Sequence, residues 1–293
     1  TTAHAHRVVS RARAVGGHAV VLGSSFIGME AASYLAQNGG LESVTVVGHD
    51  KVPLGRVLGP TVGSLVRQMH EAAGVRFQLE RSIAKFLPSE TDAASVGSVE
   101  LDSGETLPAS LVVVGAGVIP ATAFVSGVDT APDGSLLVDS SLRVKGTSNV
   151  WAAGDIARFP APWAEGEPLR VEHWNVAMDQ GRVAGRAMAG RDAAYDNVPF
   201  FWTVQYGKSI RYCGHATRWD REIVLGSVSE GAFLVAYADD AKDKVLAVST
   251  LGADPAAVAA HALMREGRMP RASEMDGKPL SFLPDLLRGA AGK

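Results

Sequence analysis

HAVVLGSSFIGME, residues His18–Glu30, decides the fold of the first part of the chain. The segment opens with an apolar run, reaches a turn of small residues at Gly23 and continues after Gly28 into a helical pattern. A short buried strand, a tight turn and a helix in this order form the first half of a dinucleotide-binding βαβ unit. The sequence therefore predicts an α/β fold with a nucleotide at the end of the first strand.

The turn itself carries the pattern G-x-S-x-x-G, in which Ser25 stands where a glycine is usual. Gly23 permits the tight turn, and Gly28 lets the helix pack closely against the strand. The small side chains of Ser24 and Ser25 let backbone N–H groups approach a pyrophosphate. The alternative is an ordinary strand–turn–helix with chance glycines, but the segments described below favour the nucleotide.

Composition limits the classes of function. The chain has 293 residues, 46% of them hydrophobic, which is enough for two domains with large cores. The net charge of -3 argues against a nucleic-acid partner bound through a general basic field. The single cysteine, Cys213, excludes a disulfide framework, a dithiol pair and a zinc site of several thiolates within this sequence.

The first residues, TTAHAHRVVSRARA, lack the apolar segment of a secretory signal, and no apolar run is long enough for a membrane span. We expect an intracellular protein, cytoplasmic or mitochondrial. The sequence predicts a short helix over Val8–Val15. His4 and His6 are expected in a frayed terminus rather than in a metal site, and no metal site is predicted elsewhere.

The segments up to Val114 alternate in the order of a parallel sheet. The sequence predicts strands at His18–Leu22, Val44–Val47, Val75–Leu79 and Leu111–Val114, helices at Phe26–Gln37 and Pro60–Ala73, and a small antiparallel excursion at Ile83–Leu87, Ser98–Leu101 and Glu105–Leu107. The last buried strand ends in Gly115-Ala116-Gly117, and ligands of parallel sheets lie at such strand ends.

The second strand is followed by Gly48-His49-Asp50. In a dinucleotide fold, an acidic residue about 20 positions beyond the turn binds the adenine ribose, but Gly48 carries no carboxylate and Asp50 comes later. Lys51 and Arg56 are candidates for binding a 2′-phosphate, or they are solvated loop charges. The choice between NAD and NADP therefore stays open at this point.

Beyond Pro120 the sequence predicts strands at Ser135–Val138, Leu142–Val144 and Val150–Ala153. The last of these ends in Gly154-Asp155, where a carboxylate beside a backbone turn would accept hydrogen bonds from sugar-like hydroxyls. The alternative for Asp155 is an Asx turn or a helix N-cap.

Glu172-His173-Trp174 precedes a predicted helix, Asn175–Ala189, that has a face of small residues. The positive end of a helix stabilises nearby negative charge, such as that at N1 and the C2 carbonyl of a reduced flavin. For His173 and Trp174 the alternative is plain core packing.

Asp196–Pro199 is predicted as a linker to a separate α+β module. Its expected elements are antiparallel strands at Phe201–Tyr206, Ile210–Gly214, Ile223–Ser227, Ala232–Ala238 and Val245–Leu251, a helix from Pro255 to about Glu266, and a loosely ordered tail.

Taken together, these segments resemble the pyridine-nucleotide-dependent FAD oxidoreductases, and within them the apoptosis-inducing-factor-like, Rieske-associated branch and the ferredoxin reductases. The motifs that carry the resemblance are VVLGSSFIGME at Val20–Glu30, LGRVLGP at Leu54–Pro60, VVVGAGVIPAT at Val112–Thr122, VWAAGDIARFP at Val150–Pro160, EHWNVAMDQGRVAG at Glu172–Gly185 and FFWTVQYGKSIRYCG at Phe200–Gly214.

The resemblance implies a Rossmann-like NAD(P)-binding domain, residues 15–116, inserted in an incomplete FAD-binding domain. Residues 1–14 would form the end of the first half of the FAD domain and a hinge. Residues 117–198 would form its second half, and residues 199–293 a C-terminal α+β interface domain.

The resemblance also assigns cofactor-binding residues, but no catalytic side chain. The nicotinamide dinucleotide would be held by Gly23, Ser24, Ser25, Phe26, Ile27, Gly28, Glu30, Gly48, His49, Ala116 and Gly117, with Glu30 near the nicotinamide amide. FAD would be held by Gly154 and Asp155 at its ribityl chain and by Glu172, His173 and Trp174 near the isoalloxazine.

Three departures from the family pattern stand out. Ser25 replaces the middle glycine, and Gly48 replaces the acidic ribose ligand. Nothing before Val15 forms the FAD-pyrophosphate turn of the family, so we expect a chain truncated at its N-terminus by on the order of 100 residues. Paired Cys and His ligands of a Rieske cluster are also missing from the sequence.

The implied activity is hydride transfer from NAD(P)H to FAD. Electrons would pass to an iron–sulfur protein of the Rieske or ferredoxin type, or to a quinone-like acceptor, with no nucleic-acid partner and with a homodimer left open. Two alternatives remain. One is a non-catalytic, apoptosis-inducing-factor-like signalling or scaffold protein, and the other is an NADP dehydrogenase with one Rossmann unit and no flavin.

Overall fold

A computed structural model describes residues 1–164 and 168–290. The chain divides into two compact units. The first comprises Thr1–Gly117 with Thr203–Lys208, and the second comprises Val118–Trp202 with Ser209–Lys293. Parallel and antiparallel sheets are both present, and the predicted α/β class is confirmed.

The first unit is built around a four-stranded sheet. Its elements are α1 (Thr2–Val15), β1 (His18–Leu22), α2 (Phe26–Asn38), β2 (Ser43–Gly48), α3 (Gly55–Ala72), β3 (Val75–Leu79), β4 (Ile83–Pro88), β5 (Val96–Leu101), β6 (Thr106–Pro108) and β7 (Leu111–Val114). The strand order β3-β2-β1-β7 is parallel throughout, and β4-β5-β6 form a separate antiparallel sheet.

The register of the parallel sheet brings the strand ends together. Leu22 lies beside Val47 and Val114, and Gly48 lies beside Leu79. Ala19, Val20 and Val21 of β1 are buried, as expected of a central strand covered on both faces. The predicted strand–turn–helix at residues 18–38 is therefore confirmed, and its turn opens at the carboxyl edge of the sheet.

Two helices of this unit are longer than predicted. α3 begins at Gly55 rather than at Pro60, with a break at Gly59, whose φ is 68°. Pro60 has no N–H to donate to the preceding turn, so the helix restarts there. α1 begins at Thr2 rather than at Val8, so the frayed terminus expected at His4 and His6 is wrong. Ala12 is the buried residue of this helix.

The second unit combines short strands, helices and most of a larger antiparallel sheet. Its elements include β8 (Leu136–Leu137), β9 (Ala157–Pro160), β10 (Pro168–Leu169), α4 (Trp174–Met188), β11 (Phe200–Gln205), β12 (Lys208–Gly214), β13 (Arg221–Ser227), β14 (Ala232–Asp239), β15 (Lys244–Leu251), α5 (Asp254–Arg265), α6 (Ala272–Met275) and α7 (Phe282–Ala290). The five-stranded sheet has the order β11-β12-β15-β14-β13, and the ends of β11 and β12 belong to the first unit.

The predicted strands at Leu142–Val144 and Val150–Ala153 are wrong. Only isolated bridges occur there, between Val138 and Val144 and between Arg143 and Trp151. Leu142 has a φ of 65°, and its backbone N–H donates to the Asp139 carbonyl in a turn. Because this turn interrupts one side of the pairing, no ladder extends to Ala153. The strand β9, which follows Gly154-Asp155, was not predicted.

The expectation of a loosely ordered tail is wrong up to Ala290. Met275 and Leu283 are fully buried in the core cluster that also contains Leu263 of α5. Pro284 lies in the first turn of α7, where a missing N–H costs no hydrogen bond. Gly292 lies outside the described residues. Among the described helices, none combines the length and the apolar character needed to cross a bilayer.

Candidate nucleotide-binding sites

The turn between β1 and α2 is built by close approaches between backbone atoms. Gly23 has a φ of 112°, and its N–H donates to the Val47 carbonyl at 2.8 Å. A Cβ on Gly28 would lie 1.9 Å from the Gly23 carbonyl oxygen. A Cβ on Gly23 would lie 2.3 Å from the Gly115 carbonyl oxygen. Both positions therefore require glycine, and the backbone of the turn is held in one conformation.

The N-terminus of α2 is open to a ligand. Ser25 is exposed and occupies the N-cap without a side-chain hydrogen bond to the helix. The first-turn N–H groups of a helix have no acceptor within the helix, and the helix dipole favours an anion there. Ile27 is 59% exposed, and the exposed Ala116 and Gly117 follow β7 at the same edge of the sheet. This cradle fits the pyrophosphate of a dinucleotide.

Ser24 has a different role from Ser25. Its side chain is buried, and its backbone carbonyl accepts a hydrogen bond from the Leu54 N–H at 2.8 Å. A Cβ on Gly48 would lie 2.3 Å from Ser24 Oγ. Ser24 therefore fills the space that a side chain at the end of β2 would need, a contact that the motif itself did not reveal.

Among the charged residues that follow β2, Asp50 and Arg56 form an ion pair. The Arg56 guanidinium contacts the Asp50 carboxylate at 2.8 Å, while His49 and Lys51 are exposed. Asp50 is therefore engaged with Arg56, and the two charges largely offset each other.

Glu30 lies on the exposed side of α2. Its Oε1 accepts a hydrogen bond from Thr203 Oγ1 at 2.6 Å, and Gln205 Nε2 donates to the same Thr203 hydroxyl at 3.2 Å. All three residues belong to the first unit. Sequence analysis singled out Glu30 but missed Thr203, because the two lie 173 positions apart and no local pattern links them.

In the second unit, Gly154 and Asp155 start a 3-10 turn that is anchored from α4. The Gly154 N–H donates to Gln180 Oε1 at 2.8 Å, and Gln180 is fully buried. Arg170 Nη1 donates to the backbone carbonyl of Asp155 at 3.3 Å and not to its side chain. The Asp155 carboxylate is exposed and can accept a hydrogen bond from a hydroxyl ligand. Sequence analysis missed Gln180, which holds the backbone of this turn in place.

The start of α4 places Glu172, His173 and Trp174 near this turn. A Cβ on Gly154 would meet the Ala177 methyl at 3.3 Å, and Arg170 links the Asp155 carbonyl to the Glu172 carboxylate. Trp174 is 81% exposed, so plain core packing does not account for it. His173 is the N-cap of α4, without a side-chain capping bond, and its ring contacts Phe201 with centroids 4.2 Å apart.

The ring of His173 is held in its neutral form. Burial, with a smaller contribution from the neighbouring His215, lowers the pKa of His173 to about 4. Its buried Nδ1 has no hydrogen-bond partner among the described residues. A positive charge on this ring would therefore be poorly solvated.

Replacement of His173 by phenylalanine is expected to reduce the loss of stability on acidification. The unfolded chain binds a proton near pH 6.5, whereas native His173 binds it near pH 4, so stability falls as the pH drops through this window. The wild type should lose on the order of 1 kcal/mol more than His173→Phe between pH 7 and pH 5. Urea unfolding at both pH values measures this. Phe159→Leu, which changes core packing at a ring that contacts Tyr195 rather than His173, should keep the wild-type slope. An identical slope for His173→Phe and the wild type would contradict the assignment.

Comparisons with known proteins identify the family of the chain. The pyridine nucleotide-disulphide oxidoreductase family matches residues 2–181, and the reductase C-terminal family matches residues 200–279. The chain is 34% identical over 278 residues to apoptosis-inducing factor 3 of Mus musculus, covering 94% of this chain and 44% of that protein.

Two further relatives are reductases. A ferredoxin–NAD(P)+ reductase of a Sphingomonas species is 32% identical over 224 residues, covering 76% of this chain and 53% of that protein. The solved covalent putidaredoxin reductase–putidaredoxin complex matches with a TM-score of 0.84 at 26% identity, covering 96% of this chain and 66% of that one. The chain thus spans about half the length of the curated relatives it matches.

These matches confirm the expected resemblance, the oxidoreductase class, and FAD and NAD(P)H as the cofactors of the family. The turn between β1 and α2, the Gly154-Asp155 turn and the start of α4 all lie within the matched residues 2–181. The chain belongs to the pyridine nucleotide-disulphide oxidoreductase family.

Proposed function

We propose that the protein is an FAD-dependent NAD(P)H oxidoreductase that passes electrons to a ferredoxin-type iron–sulfur protein. The observation that carries the proposal is the open N-terminus of α2, where Gly28 lies against the Gly23 carbonyl and leaves a cradle for a pyrophosphate. This cradle lies in the family-matched part of a chain whose relatives include ferredoxin–NAD(P)+ reductases.

In this reaction the bound nicotinamide and flavin supply the hydride donor and acceptor, and the chain supplies orientation and charge. The first-turn N–H groups of α2 hold the pyrophosphate. The hydrogen bond from Thr203 fixes the Glu30 carboxylate, which the family resemblance places near the nicotinamide amide. Both contacts would restrict the orientation of a bound dinucleotide.

In the second unit, Asp155 would accept a hydrogen bond from the ribityl chain, and Gln180 holds the turn that carries Asp155. The positive end of α4 would favour negative charge on a flavin ring bound near it. His173 stays neutral at physiological pH because burial lowers its pKa. The sequence has a single cysteine, Cys213, so the proposed reaction uses no dithiol pair from this sequence. Cys213 is buried, and burial raises the pKa of its thiol.

The acceptor is proposed as ferredoxin-type because one relative is named for its ferredoxin and a solved neighbour is a complex with putidaredoxin. Rieske proteins and quinone-like compounds are the alternative electron acceptors. A non-catalytic, signalling or scaffold role is the second candidate, and the similarity to apoptosis-inducing factor 3 is the reason to consider it. FAD binding with only weak nicotinamide binding would support that role over the reductase.

Asp155→Ala tests the flavin half of the proposal. Loss of one hydrogen bond from a carboxylate to a ribityl hydroxyl should weaken FAD binding by about tenfold. Flavin fluorescence during titration of the purified protein measures the dissociation constant. Asp192→Ala, which removes another exposed carboxylate of the same unit, serves as the control. Equal FAD affinity in both variants and the wild type would remove Asp155 from the site.

A further inference from the structure

The carboxyl end of β2 determines which adenine ribose a dinucleotide fold accepts, because a carboxylate there binds the 2′-hydroxyl and a basic residue there accommodates a 2′-phosphate. In this chain the position belongs to Gly48. A Cβ on Gly48 would lie 2.3 Å from Ser24 Oγ and 2.6 Å from Ser24 Cβ. Ser24 is buried and tied to Leu54 through its backbone carbonyl, so it has little freedom to move aside.

Basic and acidic side chains both lie at this edge. Arg81 follows β3, and its backbone N–H donates to the Gly48 carbonyl at 3.1 Å, which places it beside the end of β2. Its side chain is exposed, donates to the neighbouring Glu80 carbonyl at 2.9 Å and lies near the Asp102 carboxylate. Lys51, three positions after Gly48 in the sequence, is exposed.

Three acidic residues lie near these basic groups. Asp102 accepts a hydrogen bond from Ser82 Oγ at 3.1 Å, which lowers the pKa of its carboxyl, and the charge of Arg81 lowers this pKa further. Asp50 is engaged with Arg56 at 2.8 Å. Glu80 precedes Arg81, is exposed and has a φ of 56°. The edge thus lacks a carboxylate at the strand end itself and offers the exposed Lys51 and Arg81 as basic groups.

We propose that this edge binds the 2′-phosphate of NADP(H), with Arg81 as the main phosphate ligand and Lys51 as a second one. The contact between Ser24 and Gly48 supports this choice by keeping a ribose-binding carboxylate out. The inference rests on the proposed function, because it concerns the adenine end of the same dinucleotide site.

Isothermal titration calorimetry with adenosine 2′,5′-bisphosphate and with AMP measures how much the 2′-phosphate contributes to binding, separately from the rest of the site. Adenosine 2′,5′-bisphosphate should bind the wild type at least about tenfold more tightly than AMP, as expected for a charge-assisted hydrogen bond. Arg81→Gln should remove most of this preference and leave the AMP affinity unchanged. Arg76→Gln, an exposed arginine near the amino end of the same strand, should keep the full preference.

The Ser24–Gly48 contact is tested by a double-mutant cycle. Gly48→Glu alone should weaken binding of both probes because its Cβ clashes with Ser24. Gly48→Glu combined with Ser24→Gly should bind AMP at least as tightly as the bisphosphate, whereas Ser24→Gly alone should keep the bisphosphate preference. The coupling between the two substitutions isolates their contact.

Equal affinity of the wild type for the two probes would overturn the phosphate inference and leave the dinucleotide site intact. An equal effect of Arg81→Gln on both probes would also overturn it. Failure of both probes and of NADPH and NADH to bind the wild type would contradict the proposed nucleotide site itself.

Discussion

Replacing Gly28 with alanine is expected to lower the free energy of unfolding by about 3 kcal/mol and to abolish nucleotide binding. The added Cβ would lie 1.9 Å from the Gly23 carbonyl oxygen and 2.9 Å from its carbon. Both neighbours are backbone atoms of a turn held by the hydrogen bond from Gly23 N–H to the Val47 carbonyl. The helix must therefore move away from β1, which opens the core and displaces the phosphate cradle.

Gly181→Ala in α4 is the matched control for this substitution. It is also a glycine within a helix, but a Cβ there would meet no atom within 4 Å. Since alanine has the higher helix propensity, this variant should gain about 0.5–1 kcal/mol. Urea unfolding measures both changes. If Gly28→Ala proved as stable as the wild type, the close contact between α2 and the turn would not exist in solution.

The second large effect is expected at Gln180. Gln180→Leu removes the acceptor of the buried Gly154 N–H, whose present bond to Gln180 Oε1 measures 2.8 Å. An unpaired buried N–H costs about 1–3 kcal/mol, so the free energy of unfolding should fall by about 2 kcal/mol. FAD affinity should fall as well, because the turn that carries Asp155 loses its anchor.

Arg182→Met, two positions further along the same helix, provides the comparison. Arg182 is largely exposed and pairs with Asp179 at 2.8 Å, an interaction worth only a few tenths of a kcal/mol at the surface. This variant should lie within about 0.5 kcal/mol of the wild type and retain its FAD affinity. Equal stability of Gln180→Leu and Arg182→Met would show that the Gly154 N–H has another acceptor.

The parallel sheet was predictable because its signals are local. The apolar runs at His18–Leu22 and Leu111–Val114 have the observed bounds, and Gly23 and Gly28 appear where a tight turn and a close helix require them. Hydrophobic periodicity and glycine placement are sufficient where each strand is covered on both faces. The small antiparallel sheet at β4-β5-β6 followed from the same kind of pattern.

The second unit was less predictable because its short strands depend on pairing rather than on pattern. The apolar run Val150–Ala153 takes part in an isolated bridge at Trp151 rather than in a strand, whereas Ala157–Pro160 pairs with both β8 and β10. At the end of the chain, α7 is stabilised by burial of Leu283 against the core. Most helical stability comes from such tertiary packing, so a weak local pattern was misread as loose structure.

By itself, the sequence determined the family, the βαβ turn and the identity of the glycines that the turn requires, because these are properties of neighbouring residues. Only the tertiary structure decided which distant side chains complete the two sites. Thr203 reaches Glu30 across 173 positions, Gln180 reaches the Gly154 N–H across 26, and Ser24 closes the space beside Gly48. These contacts depend on how strands and helices pack, and a hydrogen bond between residues so far apart in the chain leaves no local pattern in the sequence.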